Sequence, residues 1–443
     1  MPATLTKTPH GPPRKARYQK LRPGLRGANG LSRDQVERHQ RTRLYEAMVE
    51  IAASGSYQTT TIKAVCALAG VSRQTFYDLF GADKEECFLG AYDYVVDRAM
   101  KRIALAYRRE QDPERRLCRA FAQFGREVAN EPEAARVALV EALGGGPTAV
   151  ARMRRTRLIS EQLIGASFSE APDGVALPPL ILRGIVCGVE RITRRRLLAG
   201  DVKELPALAD ELLAWALSYR SPAAATPAVA APTRDDRGSE LWRARARVEN
   251  DRARILGCAA QIAATRGYAQ LTPAQIVGAA EVTEARFDEL FQSTEQCFLD
   301  ALDRLGLEAL VCAARASQSS EDRLVGVHRG IVALMRHIAT HPVLVRVAFV
   351  EIFAVGAAGI QRRERLLGQF ADQLVRSLPR SRAPSGLMAE ASVGAIWGIV
   401  HDHVTRGAMQ LLPGLAGHAT YLALAPTIGA EAAVQAILAG QSR

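Results

Sequence analysis

The 443-residue sequence lacks the features of a membrane or secreted protein. No apolar run is long enough to span a bilayer, and the first residues do not follow the pattern of a secretory signal peptide. The seven cysteines are scattered, odd in number and without a Cys-x-x-Cys pair, which is typical of reduced thiols rather than of a disulfide framework. From these absences we expect a cytoplasmic protein without a membrane partner.

Motifs of common catalytic, metal and nucleotide sites are missing as well. The sequence contains no H-E-x-x-H, G-x-S-x-G or G-x-x-x-x-G-K pattern. The glycines at 144–146 follow no strand pattern and precede no Gly-Lys-Ser/Thr, so they indicate a helix break. His401 and His403 stand two positions apart, and on a helix their side chains diverge instead of sharing a metal ion. We therefore expect no enzymatic activity, no cofactor and no metal.

Sustained strand alternation is absent too, whereas helical periodicity covers most of the chain. Hydrophobic residues make up 48% of the sequence, enough for sizeable cores. The periodicity predicts a long helix over 85–109, followed by helices at about 113–130, 132–143, 148–168, 175–199 and 203–219. The predicted fold class is all-α.

Positive charge is concentrated at the N-terminus. The net charge is +12, and residues 1–43 contribute +9 of it, from eleven Lys or Arg against Asp34 and Glu37. Residues 1–31 are also rich in Pro and Gly, which predicts a disordered basic arm. Such an arm can follow DNA phosphates or enter the minor groove, with a merely solubilising tail as the alternative. Further basic runs at 152–157 and 194–196 are interpreted as solvent-facing helix surfaces.

Residues 60–80 carry the clearest local pattern of the sequence. Thr61 can cap a short helix, Gly70 follows where the chain turns at positive φ, and Ser72 can cap a second helix. The apolar stripe of the first helix comprises Ile62, Val65, Cys66 and Ala69. The second helix presents polar residues to solvent, namely Arg73, Gln74, Thr75 and Tyr77. The pattern predicts a helix-turn-helix whose second helix can enter a DNA major groove.

This stretch resembles the DNA-binding module of the TetR/AcrR family of bacterial regulators. The resemblance rests on TTI at 60–62, AGVS at 69–72, FYDLF at 76–80 and DKEE at 83–86, in the family's order and spacing. It implies a sequence-specific transcriptional regulator, a repressor released by a small apolar or amphipathic effector and associated with the bacterial nucleoid. Its partner would be double-stranded DNA, with contacts from Thr60, Thr61, Ser72, Arg73, Gln74, Thr75, Tyr77 and Lys84. The alternatives are an all-α metabolite-binding protein or enzyme that no longer binds DNA, and a protein-interaction scaffold.

The second half of the sequence repeats the first at an offset near 210 residues. Residues 254–303 echo 43–93, including CFL at 297–299 against CFL at 87–89. Further along, IWGI at 396–399 matches VCGV at 186–189. A correspondence kept over a whole half predicts the tandem duplication of a complete TetR-like unit.

The repeated helix-turn-helix keeps its core positions and changes its exposed ones. Glu281 replaces Gly70, and Glu284 replaces Arg73. Between Leu271 and Gln296 there are five acidic residues and a single basic one. Because negative charge repels phosphates, we expect that the second module does not bind DNA on its own.

The repeat and the resemblance together predict six segments. They are a basic disordered arm at 1–31, a helix-turn-helix domain at 32–90, a helical ligand-binding and dimerisation domain at 91–220, an Ala/Pro-rich linker at 221–238, a degenerate helix-turn-helix domain at 239–300 and a second helical domain at 301–443. The family's pocket suggests effector contacts from Tyr92, Val96, Met100, Phe121, Phe124, Leu139 and Leu143. The two halves are expected to pair within one chain as a pseudo-dimer, with a homodimer of chains as the alternative.

Overall fold

The structure, a computed structural model, describes residues 32–172, 174–221, 251–379 and 384–441. These residues form helices joined by short turns with no strand among them, which confirms the all-α prediction. The chain divides after Tyr94 into two compact units. The predicted basic arm at 1–31 and the linker from residue 222 onward lie outside the described residues.

The first unit is built from three helices and the beginning of a fourth. They are α1 (Arg33–Ser54), α2 (Ile62–Ala69), α3 (Arg73–Phe80) and α4 (Lys84–Arg108). A capping box starts α1, because the Ser32 hydroxyl accepts the Gln35 N–H while the Gln35 side chain accepts the Ser32 N–H. The inner faces of the helices form one core, with Leu44, Met48, Val65, Phe76, Phe80 and Phe88 buried.

The second unit contains the remainder of α4 and two further sets of helices. The first set comprises α5 (Pro113–Asn130), α6 (Pro132–Leu139), α7 (Gly146–Ser169), α8 (Pro179–Ala199) and α9 (Ala209–Leu217). The second set comprises α10 (Asp251–Arg266), α11 (Pro273–Ala280), α12 (Glu284–Leu290), α13 (Thr294–Gln318), α14 (Arg323–Thr340), α15 (Pro342–Phe349), α16 (Ala357–Ser377), α17 (Gly386–Thr405), α18 (Ala416–Ile428) and α19 (Ala430–Gln441). None of the described helices is by itself long and apolar enough to cross a membrane; α14 meets that test only jointly with Pro342–Val355, across a 94° bend.

Prolines account for two of three differences from the predicted helix bounds. The helix predicted at 175–199 begins at Pro179, since Pro178 is extended (φ −56°, ψ 143°) and a residue before proline avoids the α region. The helix predicted at 203–219 is divided into a 3-10 segment, Val202–Leu208, and α9, because Pro206 has no N–H to donate. The helix predicted at 132–143 starts at Pro132 as expected but ends at Leu139, and a 3-10 turn, Glu141–Gly144, follows it.

Several helices of the two halves match in position and length. Helices α4 and α13 both have 25 residues, α5 and α14 both have 18, and α6 and α15 both have 8. In each pair the first residues lie 210 positions apart. Helices α2 and α11 likewise both have 8 residues and start 211 positions apart. The repeat in the sequence therefore coincides with a repeat in the helix bounds.

The two sets pack against each other mainly through α8 and α17. A glycine on each helix permits this close approach: a Cβ on Gly188 would lie 2.7 Å from the Ala391 carbonyl oxygen, and one on Gly398 would overlap Cys187. Polar bonds cross the same boundary, because Trp215 Nε1 donates to Ser392 Oγ at 3.2 Å and the Tyr219 hydroxyl donates to the Leu422 carbonyl at 2.9 Å. The junction is therefore tightly packed and hydrogen-bonded.

Candidate nucleic-acid interface

The caps predicted for the helix-turn-helix are confirmed. The Thr61 hydroxyl accepts the Ala64 N–H at 3.2 Å, and the Ser72 hydroxyl accepts the Thr75 N–H at 3.0 Å. Gly70 lies between them at φ 61° and ψ 36°, the left-handed conformation that favours glycine. These three residues set the turn that places α3 on the surface of the first unit.

Arg43 fixes the same turn from inside. Its side chain is buried, and its Nη2 donates to the carbonyl oxygens of Ala69 and Gly70. Gly70 leaves the necessary space, since a Cβ there would lie 2.7 Å from this Nη2 atom. Arg43 is one of the basic residues of segment 1–43, but in the structure it is buried and stabilises the turn.

Helix α3 presents a polar face to solvent. Arg73, Gln74 and Tyr77 are exposed, with 42% of Tyr77 accessible, while Phe76 and Phe80 are buried on the opposite side. Within this face, Gln74 Nε2 donates to Asp78 Oδ1 at 2.8 Å, and the hydroxyls of Ser72 and Thr75 are hydrogen-bonded at 2.8 Å. The face therefore offers donors and acceptors on a short helix whose other side is fixed in the core.

Two of the predicted DNA-contacting side chains are used inside the protein. Thr60 is buried and its hydroxyl donates to the Ser56 carbonyl at 2.7 Å, so its side chain is not available on the surface. The Lys84 ammonium donates to the carbonyl oxygens of Tyr57 at 3.0 Å and Gln58 at 3.4 Å, and it lies 4.5 Å from the Tyr57 ring centroid. Burial lowers the pKa of Lys84. Neither partnership could be deduced from sequence spacing, because both depend on how the turn at 56–59 folds.

The second helix-turn-helix keeps the caps but has an acidic face. Thr272 caps α11, and Thr283 caps α12 by accepting the Arg286 N–H at 3.2 Å. Glu281 adopts the left-handed conformation of Gly70, with φ 53°, although it is not glycine. Arg286, the basic residue of this segment, is paired with Asp251 at 2.9 Å and Glu289 at 2.8 Å. Its positive charge is therefore already neutralised.

This second module also contacts the helical body that follows it. Residues 251–300 belong to the same compact unit as the rest of the second half. The Tyr268 N–H donates to Glu351 Oε2 at 2.8 Å, and Arg304 Nη1 donates to the Ala253 carbonyl at 2.9 Å. The module is thus joined to its body by hydrogen bonds as well as by the chain.

The residues predicted to line an effector pocket are buried or half-buried in the first set of helices. Met100 and Phe124 pack against a core cluster of Ile103, Tyr107 and Ala120. A cavity of about 150 Å³ lies in the second set, between α13, α14, α15, α16, α17 and α18. Five residues of its wall lie 210 positions after residues predicted to contact the effector, and so occupy equivalent positions in the second half. They are Leu302, Gly306, Ile331, Leu334 and Phe349.

Two equivalent positions of the halves carry side chains of different size. Gly306 stands where the first set has Val96, and Leu334 stands where it has Phe124. Smaller side chains at equivalent positions leave volume that larger ones would fill. Leu334, which is smaller than the Phe124 at the equivalent position, borders this cavity.

The basic runs interpreted as solvent-facing surfaces are only partly so: Arg155 and Arg195 are exposed, whereas other arginines of the runs are buried at the junction of the two sets. Arg157 and Arg194 are 8% and 2% exposed. Arg157 forms a bidentate ion pair with Glu190, and Arg194 Nε donates to the Leu139 carbonyl at 2.8 Å. Arg154 reaches across to Asp402 in the second set at 3.0 Å. A run of arginines looks alike in sequence whether it faces water or a buried acid on another segment.

Comparisons with known proteins give a coarse likeness to solved structures. No protein-family model matches the chain, and no curated protein matches it. Among solved structures, it is similar to a TetR-like transcriptional regulator from Rhodococcus sp. RHA1, at 19% sequence identity and a TM-score of 0.35. The matched region covers 41% of this chain and 96% of that one.

Proposed function

We propose that the chain is a sequence-specific DNA-binding regulator of transcription, and that it acts as a repressor released by a small apolar or amphipathic effector. The observation that carries the proposal is the geometry of the first helix-turn-helix, in which two capped helices hold an exposed polar α3. The excess of positive charge in residues 1–43 supports a polyanionic partner.

In this proposal the exposed face of α3 enters the major groove. Arg73, Gln74 and Thr75 stand at its N-terminal end, where helix-turn-helix proteins contact base edges. Thr61, Ser72 and Tyr77 surround that end and would contact phosphates. Lys84 stabilises the turn at 56–59 through the carbonyls of Tyr57 and Gln58, so its role is to position the neighbouring Thr61.

The chain is further proposed to be a duplicated regulator whose halves pair intramolecularly. The equal helix lengths support duplication, and the tight α8–α17 junction supports pairing. The second helix-turn-helix would then be a structural partner that does not engage DNA, because its exposed face is acidic and its arginine is paired.

DNA binding can be tested by fluorescence anisotropy with labelled fragments of the gene's own upstream region at several salt concentrations. The proposal expects selective binding to one fragment and an affinity that falls linearly on a log–log plot against salt. A protein with equal affinity for all fragments, or with none, would contradict it.

Intramolecular pairing has a separate test. Light scattering on the DNA-free protein should give the mass of one chain, 48.0 kDa, at low micromolar concentration. A species of twice that mass would favour the homodimer of chains instead.

A further inference from the structure

The cavity of the second half has an apolar wall with one buried charge in it. Leu302, Ile331, Leu334 and Phe370 are among the lining residues, and Arg363 belongs to the same wall. Arg363 is only 2% exposed. An arginine in a wall of this kind is unexpected on energetic grounds, because a buried charge is costly unless it is fully paired.

Arg363 is incompletely paired. Its Nη2 donates to Glu364 Oε1 at 2.5 Å, whereas Nε and Nη1 have no hydrogen-bond partner among the described residues. The guanidinium group also lies 4.7 Å from the Trp397 ring centroid and 5.1 Å from that of Phe353. The rings hold the group in place but supply no acceptor for its remaining N–H groups.

Its neighbourhood carries more positive than negative charge. Glu364 is shared, because it lies 3.4 Å from Arg191 and 3.6 Å from Arg194 in addition to its bond with Arg363. Glu190 lies 3.8 Å from Arg194 but also pairs with Arg157. Three arginines, Arg191, Arg194 and Arg363, thus share the carboxylate of Glu364.

Other groups that face the cluster do not supply the missing charge. His401 stacks on Trp397 with 4.6 Å between ring centroids, and burial holds its pKa well below its usual value, so it stays neutral. Burial also lowers the pKa of Arg363 to about 10, which leaves it charged at neutral pH. One further negative charge beside these arginines would therefore be electrostatically favourable.

The cavity is elongated along α16. Residues 363, 366, 367, 370, 374 and 377 of this helix all belong to the wall. At 1.5 Å per residue, the distance from Arg363 to Ser377 along the helix axis is about 21 Å. An occupant that fills this space has a long apolar body, and a polar group at one end would reach Arg363.

We propose that the cavity between α13 and α17 binds an elongated apolar monocarboxylate, with its carboxylate on Arg363 and its chain along α16. A carboxylate provides the acceptors that Nε and Nη1 lack and offsets the excess charge. The apolar body replaces no polar contact, because the wall beside it is almost entirely hydrocarbon. The further step, that this ligand is the effector, rests on the proposed function; the binding itself does not.

The binding test uses the full chain without DNA and three probes of equal length: decanoate, decanol and decylamine. Titrations are followed by calorimetry and by the fluorescence of Trp397, which lies in the cavity wall. Decanoate should bind at least about 10-fold more tightly than decanol, the factor of one charge-assisted hydrogen bond, and decylamine should not bind. Equal affinities for all three, or no affinity for decanoate, would overturn the proposal.

A pair of variants localises the effect. Arg363→Met should reduce decanoate affinity about 10- to 100-fold and leave decanol affinity within about twofold, because only the charged contact is lost. Leu334→Phe, which restores the residue found at 124, should weaken both ligands by filling the cavity. Helicity measured by circular dichroism checks the fold, and the comparison of probes on the unaltered chain stands even if Arg363→Met does not fold. An Arg363→Met variant with full decanoate affinity would contradict the assignment.

The two proposals can fail independently. Selective decanoate binding by a chain that ignores its upstream DNA would refute the regulatory function alone. Selective DNA binding by a chain that does not distinguish decanoate from decanol would refute the ligand assignment alone.

Discussion

The first and second helix-turn-helix segments share their fold and differ in the charge of their exposed face. Both second helices begin at a hydroxyl cap, Ser72 in one and Thr283 in the other. The exposed position after the cap is Arg73 in the first and Glu284 in the second. Core and caps decide whether the motif forms, and the exposed residues decide what it can bind. The two motifs thus share a fold and carry opposite charges at this exposed position.

The helical bodies carry side chains of different size at equivalent interior positions. Phe121 and Phe124 occupy the interior of the first set, whereas Ile331 and Leu334 at the equivalent positions border the cavity of the second. If the first half binds DNA and the second half binds a ligand, as proposed, the junction between them has to transmit the signal.

The largest expected effect comes from breaking the junction between the halves. Asp402 in α17 is 6% exposed and accepts from Arg183 at 2.8 Å and Arg154 at 3.0 Å, both in the first set. Asp402→Ala leaves these arginines without their shared acid and should cost about 3 kcal/mol of unfolding free energy. Urea denaturation measures it, with exposed Asp372→Ala as the matched control. Equal effects of the two substitutions would show that the junction contributes little.

The turn residues should respond in opposite directions in the two modules. Gly70→Ala forces a Cβ into a left-handed conformation beside Arg43 and should destabilise the first unit by about 1–2 kcal/mol. Glu281→Gly relieves the same strain in the second module and should stabilise it by up to about 1 kcal/mol. Thermal unfolding of both variants tests this pair. Stabilisation by Gly70→Ala would mean that the left-handed turn is wrongly assigned.

The difference between the bodies can be reversed with one residue in each. Phe124→Leu removes part of a packed ring in the first body and should cost about 1 kcal/mol, since the space left behind collapses only partly. Leu334→Phe fills existing space and should change stability by less than about 0.5 kcal/mol. Denaturant midpoints of both variants provide the measurement. If Leu334→Phe were as destabilising as Phe124→Leu, the two interiors would be equally full.

Local patterns predict much of this structure because they act over a few residues. The caps at Thr61 and Ser72 and the turn at Gly70 depend only on neighbours in sequence, and all three were predicted. The Lys84 ammonium bonds carbonyls 27 and 26 positions away, at Tyr57 and Gln58, and spacing alone does not reveal these partners. The Thr60 hydroxyl bonds the Ser56 carbonyl four positions away, inside an irregular turn that helical periodicity does not describe.

Tertiary partners explain the remaining failures. The sequence around Arg194 predicts a charged surface. In the structure α8 is packed in the interior, and Arg194 Nε donates to the Leu139 carbonyl. The cavity depends on the volumes of side chains brought together from six helices. Sequence periodicity identifies such positions as inward-facing, and only packing shows whether space remains there.

The smallest expected effect concerns a single hydroxyl on α3. Tyr77 is 42% exposed and keeps its ring against Phe76, so Tyr77→Phe removes only the hydroxyl group. Loss of one phosphate contact should weaken binding by about 3- to 10-fold, equally for specific and unrelated DNA. Anisotropy with both kinds of fragment measures the two affinities. A loss confined to the specific fragment would instead assign the hydroxyl to a base edge.

The most direct measurement is the affinity of two variants for the upstream DNA fragment. Each variant is altered on the exposed face of one helix-turn-helix. Arg73→Glu/Tyr77→Asp gives the first helix-turn-helix the residues of the second. Glu284→Gln/Asp288→Asn removes two negative charges from the second helix-turn-helix. If only the first helix-turn-helix binds DNA, Arg73→Glu/Tyr77→Asp should lower the DNA affinity at least about 100-fold. Glu284→Gln/Asp288→Asn should leave the DNA affinity within a fewfold of the unaltered chain, and any change should be an increase because acidic repulsion is removed. Unchanged affinity in the first variant, or a large loss in the second, would contradict the account.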